Sequence, residues 1–132
     1  MEPVELVERF VACINAGDVP GIASLMTPAH HFIDATGAFH TGRETMTAGW
    51  QQYFSSFPDY RIEVDHMTAH GNVVAAFGWA SGSFQGRPER HWRIPAAWRA
   101  VVSGSALEEW RVYCDVEPML QSMGVRRFAA GA

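Results

Sequence analysis

The stretch YRIEVDHMTAHGNVVAAFGWASGSF, residues 60–84, decides the fold, because it has the pattern of two β-strands joined by a turn. In its first part the apolar residues Tyr60, Ile62 and Val64 alternate with charged residues, which is typical of a strand that buries one face. The segment AHGN has the composition of a turn, and residues 73–84 follow as a long second strand. The stretch therefore predicts a pair of antiparallel strands.

Two further strands are predicted toward the C-terminus. Residues 91–104 form the third strand, with an interruption or bulge at Pro95, because proline cannot donate a hydrogen bond inside a sheet. After the tight turn SGS, residues 106–115 form the fourth strand. A helical turn or two over residues 117–123 ends at Gly124, and residues from about 125 to 132 are expected to be a loose tail.

Toward the N-terminus the spacing of apolar residues changes to three and four, which predicts helices. The first helix covers residues 4–14. Gly17 suits the left-handed position after a helix, and Asp18 is expected to cap a short second helix over residues 19–26. Two brief strands, at residues 32–34 and 39–40, come next.

A third and longer helix is predicted over residues 43–56. Thr41 and Glu44 have the spacing of a capping box, which satisfies free backbone donors at a helix start. One side of the helix carries a wide apolar stripe. Its members are Met46, Trp50, Tyr53, Phe54 and Phe57.

The composition sets limits on the kind of protein. The 132 residues are 48% hydrophobic, which is enough for one core, so a single domain over residues 1–132 is expected. A net charge of −4 offers no basic face to nucleic acid, and no stretch has the length of a membrane span. We expect a soluble cytoplasmic protein that binds neither nucleic acid nor membrane. Two cysteines form no framework and the histidines lack zinc-enzyme spacing, so no metal site is expected.

Helices followed by antiparallel strands indicate an α+β fold. We expect a curved antiparallel sheet wrapped as a cone around the long third helix, with the N-terminal helix pair beside it. The open end of such a cone forms a pocket. Aromatic residues make up 12% of the chain, including five Trp, and they line ligand pockets as readily as they fill cores.

The order of elements and several local strings resemble the nuclear transport factor 2-like (NTF2-like) superfamily, in its SnoaL-like, ketosteroid-isomerase-like branch. The strings are INAGDVPGIASLMTP, HFIDATGAFHTGRETM, FPDYRIEV, GSFQG and EWRVYCDVEPM, and the resemblance covers about residues 4–124. It implies a pocket at the wide end of the cone, no cofactor, and a homodimer formed through the outer face of the sheet. Because the superfamily holds isomerases, cyclases, hydrolases and non-catalytic modules, the fold does not fix the function.

Asp34 is the first candidate catalytic residue. Its string IDATG resembles the Asp-x-x-Gly of ketosteroid isomerases, in which the aspartate is the proton-shuttling base. A carboxylate that points into an apolar cavity is expected to have a raised pKa, which suits proton transfer. In the alternative, Asp34 begins a turn and bonds the backbone near Gly37.

Asp115 is the second candidate, because acids near the end of this strand reach the pocket in SnoaL-like cyclases. Its alternative role is to cap the last helix. Arg99 is similar to an arginine that limonene epoxide hydrolases use with two aspartates, but Val101 occupies the place of one of them. The second acid of a steroid isomerase would fall near Ala97 and is missing, so that activity is not expected.

The pocket wall is expected to draw side chains from both the helix and the sheet. On the last strand, the apolar face with Trp110, Val112 and Cys114 is expected to point into the cone, while the opposite face is the alternative. For each aromatic candidate the alternative is a place in the core. The predicted ligand-binding residues are His31, Trp50, Tyr53, Trp79, Arg99 and Trp110.

The sequence thus predicts a SnoaL-like protein that binds a small apolar or polyketide-like molecule. If it is an enzyme, we expect cofactor-free acid–base chemistry such as isomerisation, cyclisation, dehydration or hydrolysis. Asp34 would be the base, with Tyr53 or a histidine as its hydrogen-bond partner. The alternatives are a binding module without turnover and a structural dimerisation module.

Overall fold

The structure, a computed structural model, describes residues 1–125. Two short 3-10 turns, Phe84–Gly86 and Pro88–Arg90, connect the fourth strand to the fifth. In chain order the helices and strands of the described residues are α1 (Pro3–Asn15), α2 (Val19–Ser24), β1 (Met26–Ile33), β2 (Phe39–Thr41), α3 (Arg43–Ser56), β3 (Arg61–His70), β4 (Val73–Ser83), β5 (His91–Ser103), β6 (Ala106–Tyr113) and α4 (Glu117–Ser122).

The six strands form one curved, unclosed sheet in the order β2-β1-β6-β5-β4-β3. All neighbouring pairs are antiparallel except β1 and β6, which run parallel, so the sheet is mixed. The predicted α+β, NTF2-like fold is confirmed. The sheet was expected to be antiparallel throughout, and the parallel pair is the exception. Local patterns could not show it, because β1 and β6 are far apart in the sequence and no turn joins them.

The hydrophobic core lies between one face of the sheet and the helices α1 and α3. The apolar stripe of α1 is fully covered, since Leu6, Val7, Phe10 and Ile14 are at most 1% exposed. Phe10 packs against Trp110 of β6, with 5.1 Å between the ring centroids. The predicted helical spacing therefore correctly identified the buried side of α1.

The second helix begins as predicted but ends earlier. The Oδ1 atom of Asp18 accepts a hydrogen bond from the backbone N–H three residues later, as a cap does. The helix ends at Ser24, because Met26 already belongs to β1. Leu107 of β6 donates its N–H to the Leu25 carbonyl at 2.7 Å, so a contact with a distant strand ends this helix.

The capping box predicted at the start of α3 is not formed. Thr41 lies in β2 and pairs there with His31 of β1, and the N-cap of α3 is Gly42. Gly42 has a φ of 107°, which glycine adopts readily, and its N–H donates to the His30 carbonyl at 2.7 Å. Strand pairing therefore takes the residues that a capping box would need.

The fifth strand runs through Pro95 without a break, which corrects the predicted interruption. Pro95 pairs with Trp79 of β4, whereas β6 pairs with β5 only from Ala97 onward. One side of β5 thus has no neighbouring strand at the proline, where a missing N–H is tolerated. The irregular register lies further along, between Val101 and Val102.

Alternation along β5 defines the two faces of the sheet. Trp92, Ile94 and Trp98 are buried and point to the inner face, which packs on the helices. Arg93 and Arg99 point to the opposite, outer face. The candidate site is built on the inner face.

The tail predicted for about residues 125–132 lies outside the described residues, apart from Val125. Within residues 1–125, none of the helices combines the length and apolarity that crossing a bilayer requires.

Candidate functional site

A cavity of about 510 Å³ lies between α3 and the inner face of the sheet. Among residues 1–125, none of those that line it is Lys or Arg, and its volume suits a small organic molecule. A second depression of about 480 Å³ lies between α2 and α3, but it is open to solvent and none of the described residues that line it is aromatic. The wall of the first cavity is mainly aromatic, formed by Phe32, Trp50, Tyr53, Tyr60, Trp92, Trp98 and Trp110.

Strand alternation explains how the sheet supplies its part of the wall. Trp92 and Trp98 of β5 and Trp110 of β6 point inward. The rings of Trp98 and Trp110 lie nearly parallel, with 6.2 Å between centroids and an interplanar angle of 16°. Val112 and Cys114 line the cavity beside Trp110, so the expectation that this apolar face points into the cone is confirmed.

The helix α3 supplies the opposite wall. Trp50 and Tyr53 of its apolar stripe line the cavity, and Tyr60 packs edge-on to Tyr53 with 4.9 Å between ring centroids. The Tyr53 hydroxyl donates to the Met119 sulfur at 3.5 Å. Burial raises the pKa of the Tyr53 and Tyr60 hydroxyls, and it also raises the pKa of the Cys114 thiol. These three groups are therefore neutral at neutral pH.

Asp34 lies in the turn between β1 and β2 and also lines the cavity. Its Oδ1 atom accepts hydrogen bonds from the Thr36 N–H at 2.9 Å, the Thr36 hydroxyl at 2.6 Å and the Ala38 N–H at 3.1 Å. Its Oδ2 atom lies 2.8 Å from His40 Nε2. Because the side chains of Asp34 and His40 are 30% and 44% exposed, the pair sits at the rim of the cavity.

The environment of Asp34 favours its ionised form. Burial acts to raise the pKa of Asp34, but hydrogen bonds from His40, Thr36 and Ala38 outweigh burial and lower the pKa to about 2. The expected raised pKa is therefore wrong, because donors of the turn and of β2 surround the carboxylate where an apolar pocket was expected. A carboxylate with so low a pKa is a weak base at neutral pH.

His31 and Arg99 lie on the outer face, which corrects their predicted place in the cavity wall. Each is adjacent to an inward-pointing residue, Phe32 or Trp98, and neighbours in a strand point to opposite faces. Both contact Glu109, whose side chain is 9% exposed: His31 Nε2 is 3.0 Å from Oε1, and Arg99 Nη1 donates to Oε2 at 2.6 Å. The two side chains thus hold a buried carboxylate on the outer face.

Trp79 and Asp115 also lie outside the cavity, which corrects their predicted roles there. Ala80 of β4 points inward, so its neighbour Trp79 lies on the outer face, where the Arg93 guanidinium is 4.0 Å from its ring centroid. Asp115 is exposed, and its Oδ1 accepts a hydrogen bond from the Glu117 N–H at 3.0 Å. This contact matches the alternative prediction, in which Asp115 caps the last helix.

Tyr60, Trp92 and His40 line the cavity, although sequence reasoning did not identify them as site residues. Alternation would have grouped Trp92 with Trp98, but the predicted break at Pro95 separated them. His40 follows Asp34 by six residues, and their contact depends on the fold of the intervening turn. Within residues 1–125, no three His, Cys, Asp or Glu side chains converge as metal ligands.

The model of the SnoaL-like domain matches residues 7–114 of the chain. The protein therefore belongs to the SnoaL-like domain family, and the resemblance inferred from the sequence is confirmed. No curated protein matches the chain in sequence.

Solved structures from several bacteria share the fold. A protein of ketosteroid isomerase-like fold from Catenulispora acidiphila, in complex with trimethylamine, is 19% identical, with a TM-score of 0.80 over 92% of this chain and 93% of that one. A proposed SnoaL-like polyketide cyclase from Shewanella denitrificans is 15% identical, with a TM-score of 0.79 over 92% and 96%. IdmH from Streptomyces antibioticus, a proposed polyketide cyclase, is 23% identical, with a TM-score of 0.77 over 95% and 100%. At these identities the likeness concerns the fold.

Proposed function

We propose that this SnoaL-like protein binds a small, largely apolar molecule in the cavity between α3 and the inner face of the sheet. The observation that carries the proposal is the cavity of about 510 Å³, because seven aromatic side chains enclose it. Protein cores are normally packed without voids of this size, whereas ligand sites are concave, mostly apolar and of this volume. Planar polyketide-like molecules fit such walls.

The charges around the cavity restrict the ligand further. The lining residues that the structure describes include no Lys or Arg, and the Tyr53 and Tyr60 hydroxyls are neutral at neutral pH, since burial raises the pKa of each. Asp34 is ionised, because its hydrogen bonds lower its pKa to about 2. The described lining residues thus offer an anionic ligand no Lys or Arg partner, so the cavity favours neutral or positively charged molecules.

Calorimetric titration with coumarin, a neutral bicyclic lactone, tests the proposal. We expect saturable binding with a dissociation constant in the micromolar to millimolar range, as is usual for a ligand of that size. Gly49 lines the cavity, and a Cβ atom added there has the end of Met46, at 3.9 Å, as its nearest described neighbour. The variant Gly49→Leu should therefore fill part of the cavity and weaken binding by about tenfold or more.

Ser55→Leu provides the matched control for this variant. Ser55 lies in the same helix, is exposed, and does not line the cavity. The control should bind coumarin as the wild type does, and thermal unfolding should show that both variants are folded. Equal affinity in the wild type and Gly49→Leu would overturn the proposal.

Small amines are a second candidate ligand class. Ring faces attract organic cations, and an ionised carboxylate at the rim adds to that attraction. The structure from Catenulispora acidiphila, with its bound trimethylamine, supports this class for the fold. The test compares choline with its neutral isostere dimethylbutanol, in which carbon replaces nitrogen. Tighter binding of choline favours amines, and tighter binding of the alcohol favours neutral ligands.

We also propose that the outer face of the sheet pairs with a second copy of the chain. Phe77, Ala97 and Tyr113 lie side by side on three neighbouring strands, and the two aromatic residues are 47% and 45% exposed. Light scattering should find a dimer that Phe77→Glu dissociates, whereas Ser55→Glu, at an exposed position of α3, leaves it intact. A monomeric wild type would contradict this proposal.

Turnover by cofactor-free acid–base chemistry, as in an isomerase, cyclase or hydrolase, is the second candidate function. The hydrogen-bonded pair of Asp34 and His40 at the cavity rim favours it. Its alternatives are binding without turnover and a structural dimerisation role. The cytoplasmic location inferred from the sequence stays a prediction.

A further inference from the structure

We infer that His40 is the acid–base group of the cavity and that Asp34 is its positioning residue. The inference rests on the proposed function, because a proton acceptor at the rim acts only on a ligand that the cavity holds. It reverses the expectation drawn from the string IDATG, in which Asp34 itself was the base.

The hydrogen bonds of Asp34 fix the roles of the two side chains. Oδ1 already accepts three hydrogen bonds from Thr36 and Ala38, and Oδ2 lies 2.8 Å from His40 Nε2. An ionised carboxylate only accepts hydrogen bonds, so His40 Nε2 carries the proton of this contact. In neutral imidazole the other nitrogen, Nδ1, then holds the free electron pair. His40 Nδ1 has no hydrogen-bond partner within residues 1–125.

A carboxylate bonded to one imidazole nitrogen orients the ring and stabilises the charge that appears when the other nitrogen takes up a proton. The Phe32 ring, 5.8 Å from the His40 ring by centroids, packs on the same side chain and also lines the cavity. His40 is therefore held by a hydrogen bond and by an aromatic contact at the edge of the space that a ligand would occupy.

The other ionisable groups around the cavity are unsuited to proton transfer near neutral pH. Asp34, in the turn after β1, is ionised. Tyr53 of α3 and Tyr60, just before β3, are neutral, and so is Cys114, just after β6. Among the described residues that line the cavity, His40 is the remaining side chain that can both accept and donate a proton.

The step that follows is a proton transfer. His40 Nδ1 removes a proton from an acidic C–H of the ligand. The electron pair of that bond stays with the ligand as an enolate, or it forms a new π bond in the ligand while a departing group leaves with the electrons of its own bond. The imidazolium that forms carries the proton, and Asp34 carries the balancing negative charge. The proton then returns to another atom of the ligand, as in an isomerisation or cyclisation, or passes to water.

Elimination of nitrobenzisoxazole tests the inference with a defined probe. A base removes its ring C–H proton, the electron pair forms the nitrile, and the N–O bond breaks to release a coloured cyanonitrophenolate. Positioned general bases contribute about 100-fold or more to such rates. We expect wild-type protein to accelerate the reaction, and His40→Gln to lower kcat/KM by about 100-fold. Asp34→Asn should lower kcat/KM by about tenfold.

The pH profile and a control distinguish His40 from Asp34. The wild-type rate should rise with pH, as expected of a general base, and His40→Gln should lack that rise. His70→Gln, at an exposed histidine on β3, should match the wild type. A rate that survives in His40→Gln, disappears in Asp34→Asn and is flat above pH ~4 would show that the carboxylate is the base and overturn the inference.

Binding of the probe is measured separately by calorimetry with the more inert parent benzisoxazole. If benzisoxazole binds but elimination does not depend on His40, the inference is overturned and the proposed function stands. Failure of benzisoxazole and coumarin to bind overturns the proposed function, and the inference falls with it.

Discussion

Replacing Asp34 by Asn tests how much the turn between β1 and β2 depends on a negative charge. Asn keeps the size of the side chain and is itself favoured in turns, so the variant isolates the charge from the shape. Four hydrogen bonds reach the carboxylate, including one from His40 Nε2 at 2.8 Å. We expect Asp34→Asn to be less stable than the wild type at neutral pH.

The magnitude follows from the pKa of Asp34, which is lowered from 3.8 to about 2. This difference corresponds to roughly 2 kcal/mol of folding free energy at pH 7. Because the side chain is 30% exposed, solvent screens part of this energy, and the expected loss is about 1 kcal/mol. A carboxyl group with a lowered pKa stabilises the fold above its unfolded pKa. Its contribution is therefore complete above pH ~4 and disappears as the pH falls toward 2.

Urea denaturation at several pH values measures this contribution. The difference in unfolding free energy between the wild type and Asp34→Asn should be about 1 kcal/mol at pH 7 and should approach zero near pH 2. Asp65→Asn, at an exposed position of β3, serves as the control for the loss of one negative charge. If both variants lose the same amount, or if Asp34→Asn is as stable as the wild type, the hydrogen bonds do not stabilise the carboxylate as argued.

Two other substitutions test the packing of the sheet. Glu109→Ala should lower the free energy of unfolding, measured by urea denaturation, by about 1–3 kcal/mol, because its two partners on the outer face lose a buried carboxylate. Glu108→Ala, at an exposed position, should lower it little. Equal losses of unfolding free energy in the two variants would refute the stabilising role of Glu109. Gly78→Ala would place a methyl group in direct conflict with the Glu63 carbonyl oxygen and should lower the melting temperature strongly. Gly49→Ala meets no such contact and should stabilise its helix by about 0.5–1 kcal/mol. A Gly78→Ala protein as stable as the wild type would refute the close approach of the two strands.

Local patterns carried enough information to predict the order of helices and strands. The buried stripe of α1 and the alternation in β3 depend on the spacing of neighbouring residues alone. The end of α2 and the length of β1 depend instead on pairing with β6, since Met26 lies opposite Leu107. No local signal marks that parallel pair. The end of α2 and the length of β1 therefore could not be predicted from local patterns.

The candidate site likewise contains residues that local patterns predict and residues that depend on strand register. Helical spacing placed Trp50 and Tyr53 in the cavity wall, because one stripe of a helix faces one way. Strand residues depend on register, and a shift of one position moves a side chain to the other face. Trp79 and Arg99 were predicted for the wall and lie on the outer face for this reason. The pKa of Asp34 could not be read from the sequence, because it depends on four hydrogen bonds made by the folded turn.

The five tryptophans offer the most direct test of whether the aromatic cavity binds a small apolar molecule. Trp50, Trp92, Trp98 and Trp110 line the cavity, whereas Trp79 lies on the outer face. Two-dimensional NMR of ¹⁵N-labelled protein resolves one indole N–H signal for each. On titration with coumarin, we expect saturable shifts in the signals of the cavity tryptophans and a constant Trp79 signal. Equal movement of all five signals, or movement of Trp79 alone, would contradict this expectation.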